Sequence, residues 1–197
     1  KRRISGSRAK VLKQLNQHFL LSEILNSDNL SRVWNSSNDL AIYKTGYDLA
    51  QWRDTSSFEY FNQYTIPFYW ATVFMFRKTE LNECFFTLIE YIKDNWIYFR
   101  TLYNIDHHNF RNDFAFSIAI HIMNGKTNGE FATELPGKMT YVLDTDILHS
   151  MNESSMHFLI EKQDYFGEYI MAKTSNLDVH VMNKDSLTRI INEYQYV

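Results

Sequence analysis

Cysteine, proline and glycine are all scarce in this sequence of 197 residues, which has one, two and six of them respectively. A single cysteine cannot form a disulfide within the chain, which suits a reducing compartment. So little proline and glycine leaves scant scope for low-complexity or disordered segments. The one thiol, Cys84, lies in the apolar run 84–89, a position that predicts a buried, inert side chain rather than a nucleophile.

Strong net charge and long hydrophobic runs are missing as well. A net charge of −3 provides no general attraction for nucleic acid, so we expect no nucleic-acid partner. The basic residues at positions 1–10 are interpreted as a solvated tail. No run approaches the roughly 18 apolar residues of a membrane span, and no signal-peptide pattern is present. Aromatic residues are abundant instead, at 16%, and they predict a folded domain over residues 1–197.

Hydrophobic periodicity predicts alternating strands and helices, an arrangement typical of the α/β or α+β class. The run 67–79 is β-branched and aromatic, which predicts a strand buried on both faces. Gly125 is well placed to end the predicted helix 110–125. The other predicted strands are 39–45, 156–162, 168–173 and 178–182, and the other predicted helices are 8–20, 80–103, 145–153 and a last helix from Ser186.

The segment 110–125 begins with the polar triplet Arg111, Asn112 and Asp113, ahead of many core-type residues. An Asp or Asn at a helix start accepts hydrogen bonds from free backbone N–H groups, and the helix dipole favours the carboxylate. The triplet is therefore either a helix cap or a catalytic or substrate-binding site. The sequence leaves both readings open.

A second polar cluster, Asp144 and Asp146, follows the apolar run 141–143. Two carboxylates at this spacing after a strand can hold a divalent metal together with a diphosphate. The residues that follow have a helical pattern, so one of the two aspartates is alternatively the N-cap of the predicted helix 145–153.

A third candidate is His180, which alternates with apolar Val179 and Val181 and so projects to the opposite face of the predicted strand. A neutral imidazole there can bind a metal, with Lys184 close by for a phosphate group. The alternative is a histidine with a purely structural role.

The order of three segments resembles the C-terminal half of phage-encoded glycosyltransferases with the GT-A (nucleotide-diphospho-sugar transferase) fold. The likeness covers roughly residues 20–190. It is carried by residues 68–96 (FYWATVFMFRKTELNECFFTLIEYIKDNW), by 110–125 (FRNDFAFSIAIHIMNG), and by LPGK at 135–138 with DVHVMNK at 178–184. The resemblance implies an α/β fold with a mixed sheet flanked by helices. It also leads us to expect that the N-terminal nucleotide-binding half is largely absent before residue 20.

The same resemblance implies roles for the polar clusters. Asp113 would orient or activate a sugar or acceptor hydroxyl, with Asn112 and Arg111 supplying hydrogen bonds. His180 would bind a metal or the diphosphate, and Lys184 would bind substrate.

The metal of this fold, Mn²⁺ or Mg²⁺, is normally held by an Asp-x-Asp motif at a strand end. At the matching position this chain reads LSE over residues 21–23. Glu23 would stand for the second carboxylate, whereas Leu21 offers no oxygen to a hard cation.

The resemblance implies transfer of a sugar from a nucleotide-sugar donor to an acceptor hydroxyl, in the cytoplasm of an infected host cell. The alternative is a non-catalytic GT-A-like scaffold, such as a component of a virus particle or a carbohydrate-binding module. Under that alternative, we expect the chain to contact other virion components or further copies of itself. The many aromatic residues of 43–69 suit sugar stacking or a protein interface equally.

Overall fold

The computed structural model describes residues 38–44, 46–53, 60–61, 66–135, 139–152, 154–175 and 177–194. The strands are β1 (Leu40–Tyr43), β2 (Gly46–Asp48), β3 (Trp70–Phe76), β4 (Ala132–Glu134), β5 (Met139–Val142), β6 (Ile147–Met151), β7 (Ser155–Glu161), β8 (Tyr169–Ser175) and β9 (Asp178–Val181). The helices are α1 (Glu80–Asp94), α2 (Trp96–Leu102), α3 (Asn112–Met123) and α4 (Lys184–Tyr194). The predicted mixture of helices and strands is confirmed, and the predicted helix 8–20 lies outside the described residues.

The described strands form three sheets of three strands each, in the orders β3-β1-β4, β2-β5-β9 and β6-β7-β8. Contacts within the chain define two compact units. The described residues of the first lie within 38–47 and 52–135, and those of the second lie within 48–51 and 139–194. The expectation of a single domain over 1–197 stays a prediction.

In the first unit, β1 is buried along its whole length, with β3 antiparallel on one side and β4 parallel on the other. Helix α3 packs against β3 and α1. Seven consecutive α3 residues, Phe114 to Ile120, are buried. A helix that is apolar on all sides must lie inside a core, so α3 is the central element of this unit.

The predicted strand 67–79 is present as β3, but burial on both faces is wrong for most of it. Trp70 is fully buried, whereas the following residues are half-buried and Phe76 is exposed. The reason is the position of β3, which is an edge strand among the described strands. An edge strand of a small sheet is covered less completely than a central one.

The predicted helix 80–103 is interrupted at Asn95, between α1 and α2. The Asn95 side-chain amide donates a hydrogen bond of 2.9 Å to the Tyr91 carbonyl. Asparagine side chains compete in this way with the regular backbone ladder. At the start of α1, the Thr79 hydroxyl accepts a hydrogen bond from the Asn82 N–H, which is the capping pattern expected of threonine.

The prediction of a buried Cys84 is wrong, because its thiol is exposed on α1. The core-facing residues of α1 are Asn82, Phe85 and Ile92. Successive helical residues are about 100° apart around the axis, so the neighbour of Phe85 is turned away from the core. The apolar run 84–89 is thus split between two faces of one helix.

In the second unit, β5 and β9 pair in parallel, and β6, β7 and β8 form an antiparallel sheet. Its core contains Val142, Leu148, Phe158, Ile160 and Ile190. The predicted helix 145–153 is wrong, because β6 occupies this segment. Leu148 is buried and pairs with Phe158 of β7, whereas exposed His149 lies where the register with β7 shifts between Leu148 and Ser150.

Two predicted helix ends are close to the observed ones. Gly125 follows the last residues of α3 with a φ of +70°, a left-handed conformation that glycine adopts at little cost and that commonly ends helices. Helix α4 begins at Lys184, two residues before the predicted start at Ser186. Among the described residues, no helix has the length and apolar character of a membrane span.

Candidate functional site

Asp113, the last residue of the polar triplet at the start of α3, is held by a tertiary hydrogen bond and an ion pair. Arg111 occupies the N-cap position without a side-chain capping bond, and Asp113 lies in the first turn. Asp113 Oδ1 accepts a hydrogen bond of 2.9 Å from the backbone N–H of Ala71, and its Oδ2 lies 3.1 Å from Arg111 Nη2. Both carboxylate oxygens therefore have partners inside the protein.

Ser117, one turn further along α3, also binds the chain segment at the start of β3. Its Oγ accepts a hydrogen bond of 2.8 Å from the Tyr69 N–H and donates one of 2.7 Å to the Asp113 carbonyl. Tyr69 and Ala71 alternate along the chain, so their N–H groups point to the same side. Two α3 side chains thus satisfy the backbone of an edge strand that would otherwise require another strand or water.

The Arg111–Asp113 pair also reaches the surface. The Asp113 side chain is 15% exposed and that of Arg111 is 31% exposed. The Arg111 guanidinium lies 5.5 Å from the centre of the Phe114 ring, and His107 packs against the same ring. Asn112 is exposed. Arg111 and Asp113 therefore form a connected, partly exposed pair, with the Arg111 guanidinium beside the Phe114 ring.

Asp146 is fully buried and acts as a backbone acceptor. Its Oδ2 accepts a hydrogen bond of 2.8 Å from the Leu143 N–H, and its Oδ1 accepts one of 3.2 Å from the Glu161 N–H. Strand β6, and not a helix, begins directly after Asp146, so the N-cap alternative is wrong for Asp144 and Asp146 alike. Asp144 is exposed, and its carbonyl accepts a hydrogen bond from Asn183.

His180 and Lys184 belong to the second unit, whereas Arg111, Asn112 and Asp113 belong to the first. His180 is half-buried on β9, beside Tyr141 of β5. The Lys184 ammonium donates a hydrogen bond to the Val181 carbonyl. Glu23 lies outside the described residues.

A divalent metal needs several hard oxygen or imidazole ligands that converge on one point. In the part of the chain that the structure describes, no group of three His, Cys, Asp or Glu side chains is so placed. The described residues therefore do not by themselves fit Mn²⁺ or Mg²⁺. Metal binding by Glu23 and His180 stays a prediction.

Two exposed apolar surfaces were not singled out from the sequence. One is strand β8 with the preceding turn, where Phe166, Tyr169, Ile170 and Met171 are exposed. The other is a row of residues on α1 and α2. The row on α1 and α2 has a regular spacing of three and four residues in the sequence. The apolar residues that enter the core have a similar spacing in the same segment, so the two sets were not distinguished.

Comparison of the chain with protein-family models, with curated proteins and with solved structures gives no significant match.

Proposed function

We propose that this chain is a non-catalytic component of a protein assembly and that it self-associates through strand β8. The observation that carries the proposal is the combination of an exposed strand edge with exposed apolar side chains. Among the described strands, β8 has a neighbour, β7, on one side only. Tyr169, Ile170 and Met171 are exposed on it, with Met171 at 58%.

The edge of β8 lacks the features with which proteins usually prevent edge pairing. All seven residues of β8 pair in uninterrupted register with β7, without a bulge. The strand contains no proline, and Lys173 is its only charged residue. A regular edge with so few blocking features is a template for another strand.

A second copy of β8 fits this edge in antiparallel orientation. A two-fold axis at Met171 places Tyr169 opposite Lys173 of the second copy, and Lys173 opposite Tyr169 of the second copy. No like charges face each other in this register, and the Lys–Tyr pairs gain a cation–π contact. The same surface serves both copies, as in most symmetric dimers.

Light scattering over a dilution series tests this self-association. We expect the unaltered chain to dissociate on dilution, and Met171→Lys to be monomeric throughout because it brings two positive charges together at the axis. Gln163→Lys is the matched control, since it adds the same charge on the exposed turn of the same hairpin. A monomeric unaltered chain at all concentrations, or equal dimerisation of Met171→Lys, contradicts the proposal.

Sugar transfer on a GT-A-like fold is the second candidate function. It is favoured by the partial exposure of Asp113 and Arg111 at the start of α3, where a hydroxyl group could reach the carboxylate. Calorimetric titration with UDP and GDP, with and without Mn²⁺, tests it. Metal-dependent binding in the micromolar range that His180→Ala weakens, together with transfer abolished by Asp113→Asn, favours the enzyme. A folded chain that binds neither nucleotide favours the assembly component.

A further inference from the structure

A row of side chains with heptad spacing runs along the exposed side of α1 and α2. Its members recur at alternating intervals of three and four residues, and we call them the heptad stripe: Leu81, Cys84, Leu88, Tyr91, Asn95, Tyr98 and Leu102. Leu81, Tyr91, Tyr98 and Leu102 are among the exposed large apolar residues of the chain, with Tyr98 at 62%. Cys84 is also exposed.

The heptad stripe is distinct from the face that α1 and α2 bury. Phe85, Ile92 and Phe99 enter the core of the first unit. The interruption at Asn95 does not break the row, because the Asn95 N–H bonds the Tyr91 carbonyl and the Phe99 N–H bonds the Asn95 carbonyl. Two backbone hydrogen bonds thus bridge the interruption, and the two helices present a second apolar face.

Heptad spacing is the pattern with which one helix packs against another. Apolar residues at a and d positions insert between four residues of the facing helix, and a polar residue such as Asn95 within the row fixes the register. Around Cys84 the stripe forms an open, shallow groove lined by Glu80, Glu83, Cys84, Thr87, Leu88 and Tyr91. A helix is therefore the element that this surface fits.

The charges beside the stripe identify the chemistry of that helix. Helix α1 carries Glu80, Glu83, Glu90 and Asp94 against a single Lys93, and all five are exposed. A second α1 helix would bring acidic groups together. A basic helix gains attraction instead, and charged residues that flank an apolar seam are what select partner helices.

We propose that the heptad stripe binds a basic amphipathic helix and that its occupant is the segment 8–20 of this chain. The segment reads RAKVLKQLNQHFL and lies outside the described residues. Its Leu12, Leu15 and Phe19 have the same three-and-four spacing, and Arg8, Lys10 and Lys13 supply the opposite charge. This interaction is independent of β8.

Cys84 is the natural reporter for this contact, because it is the only cysteine in the chain and lies within the stripe. A second thiol is introduced in the full-length chain by Leu15→Cys, and Gln51→Cys, at an exposed position, is the control. After mild oxidation, non-reducing gels and peptide mass spectrometry identify the disulfides. We expect Leu15→Cys to link to Cys84 at least about tenfold faster than the control does, since docking raises the effective thiol concentration.

Two further variants locate the contact. Tyr91→Lys should slow the Leu15→Cys crosslink by removing an aromatic contact and repelling a basic helix. Ile97→Lys should leave it unchanged, because Ile97 is 79% exposed but lies off the stripe. Crosslinks within one chain or between two copies both support the proposal, and their sizes on the gel distinguish them.

Three results would overturn the proposal. One is a Leu15→Cys crosslink no faster than that of Gln51→Cys. Another is a disulfide between two copies of Cys84 without any link to the segment, which would mean that the stripe pairs with itself. The third is equal slowing by Tyr91→Lys and Ile97→Lys. The molar mass measured for β8 self-association is a separate readout, so either proposal can fail without the other.

Discussion

Asp113 Oδ1 accepts a hydrogen bond of 2.9 Å from the backbone N–H of Ala71, which lies 42 residues earlier in the chain. The sequence offers two roles for a carboxylate at a helix start, a cap or a site, and the structure shows a further one. Asp113 joins the first turn of α3 to the start of β3. Its charge is balanced by Arg111 at 3.1 Å.

Loss of the Asp113 carboxylate is expected to destabilise the first unit. Asp113→Ala leaves the Ala71 N–H without its acceptor and should lower the free energy of unfolding by about 2 kcal/mol. Urea denaturation followed by tryptophan fluorescence measures the change. Asn112→Ala, at the exposed neighbouring residue, is the control and should cost less than about 0.5 kcal/mol. Equal losses of unfolding free energy in the two variants would show that the Asp113–Ala71 hydrogen bond does not stabilise the first unit.

Asp146 should be more sensitive than Asp113 to substitution, because it is fully buried and accepts two backbone hydrogen bonds. Asp146→Asn replaces one acceptor oxygen with an N–H₂ donor that faces a backbone N–H. We expect it to cost about 3 kcal/mol of unfolding free energy. The same change at exposed Asp144 should cost less than about 0.5 kcal/mol. Chemical denaturation of both variants checks this, and a stable Asp146→Asn would count against the proposed acceptor role.

His121 should make stability depend on pH. Burial lowers the pKa of His121 from its ordinary value of 6.5, and the Lys126 charge adds to this effect, while a backbone hydrogen bond with Lys126 opposes it. The Tyr103 hydroxyl lies 3.0 Å from His121 Nδ1, and the neutral ring can accept a hydrogen bond from it. Below pH 6.5 the unfolded chain therefore takes up a proton before the folded chain does.

The contribution of His121 is consequently complete above pH 6.5, is lost as the pH falls below that value, and levels off once the folded His121 is protonated. Urea midpoints from about pH 8 to about pH 5 follow this loss, which spans the ordinary histidine titration range. The control is His121→Gln, which cannot titrate and should show a weaker decline in this range. A decline of the same size in both chains would assign the effect to other groups.

Cys84 should react as an accessible thiol in the folded protein, since it is exposed on α1. We expect a colorimetric thiol reagent to modify one group per native chain of Tyr91→Lys, in which segment 8–20 is displaced from the heptad stripe, at a rate within about tenfold of that for its denatured chain. The denatured sample is the control for the total thiol content. Reaction only after denaturation would show that an element other than segment 8–20 covers the thiol.

Local hydrophobic periodicity was sufficient to predict those helices and strands whose packing partners do not alter the spacing of their apolar residues. The start of α1, the helix α3 and the strands β7, β8 and β9 were all predicted close to their observed positions. Gly125 was also predicted correctly, because the left-handed φ that ends a helix is a local property of glycine. The segment of β6 was predicted as a helix, since its pairing with β7 is invisible in a short window.

The sequence by itself determined the mixture of helices and strands, the apolar character of α3 and the polar triplet at its start, because these follow from composition and spacing. Only the tertiary structure decided that Asp113 accepts a hydrogen bond from the Ala71 N–H and that buried Asp146 accepts hydrogen bonds from the backbone. It alone placed Cys84 outside the core and left the β8 edge exposed. Each of these depends on which distant backbone group or face lies opposite a side chain, and hydrogen bonding and burial are set by that neighbour rather than by residue type.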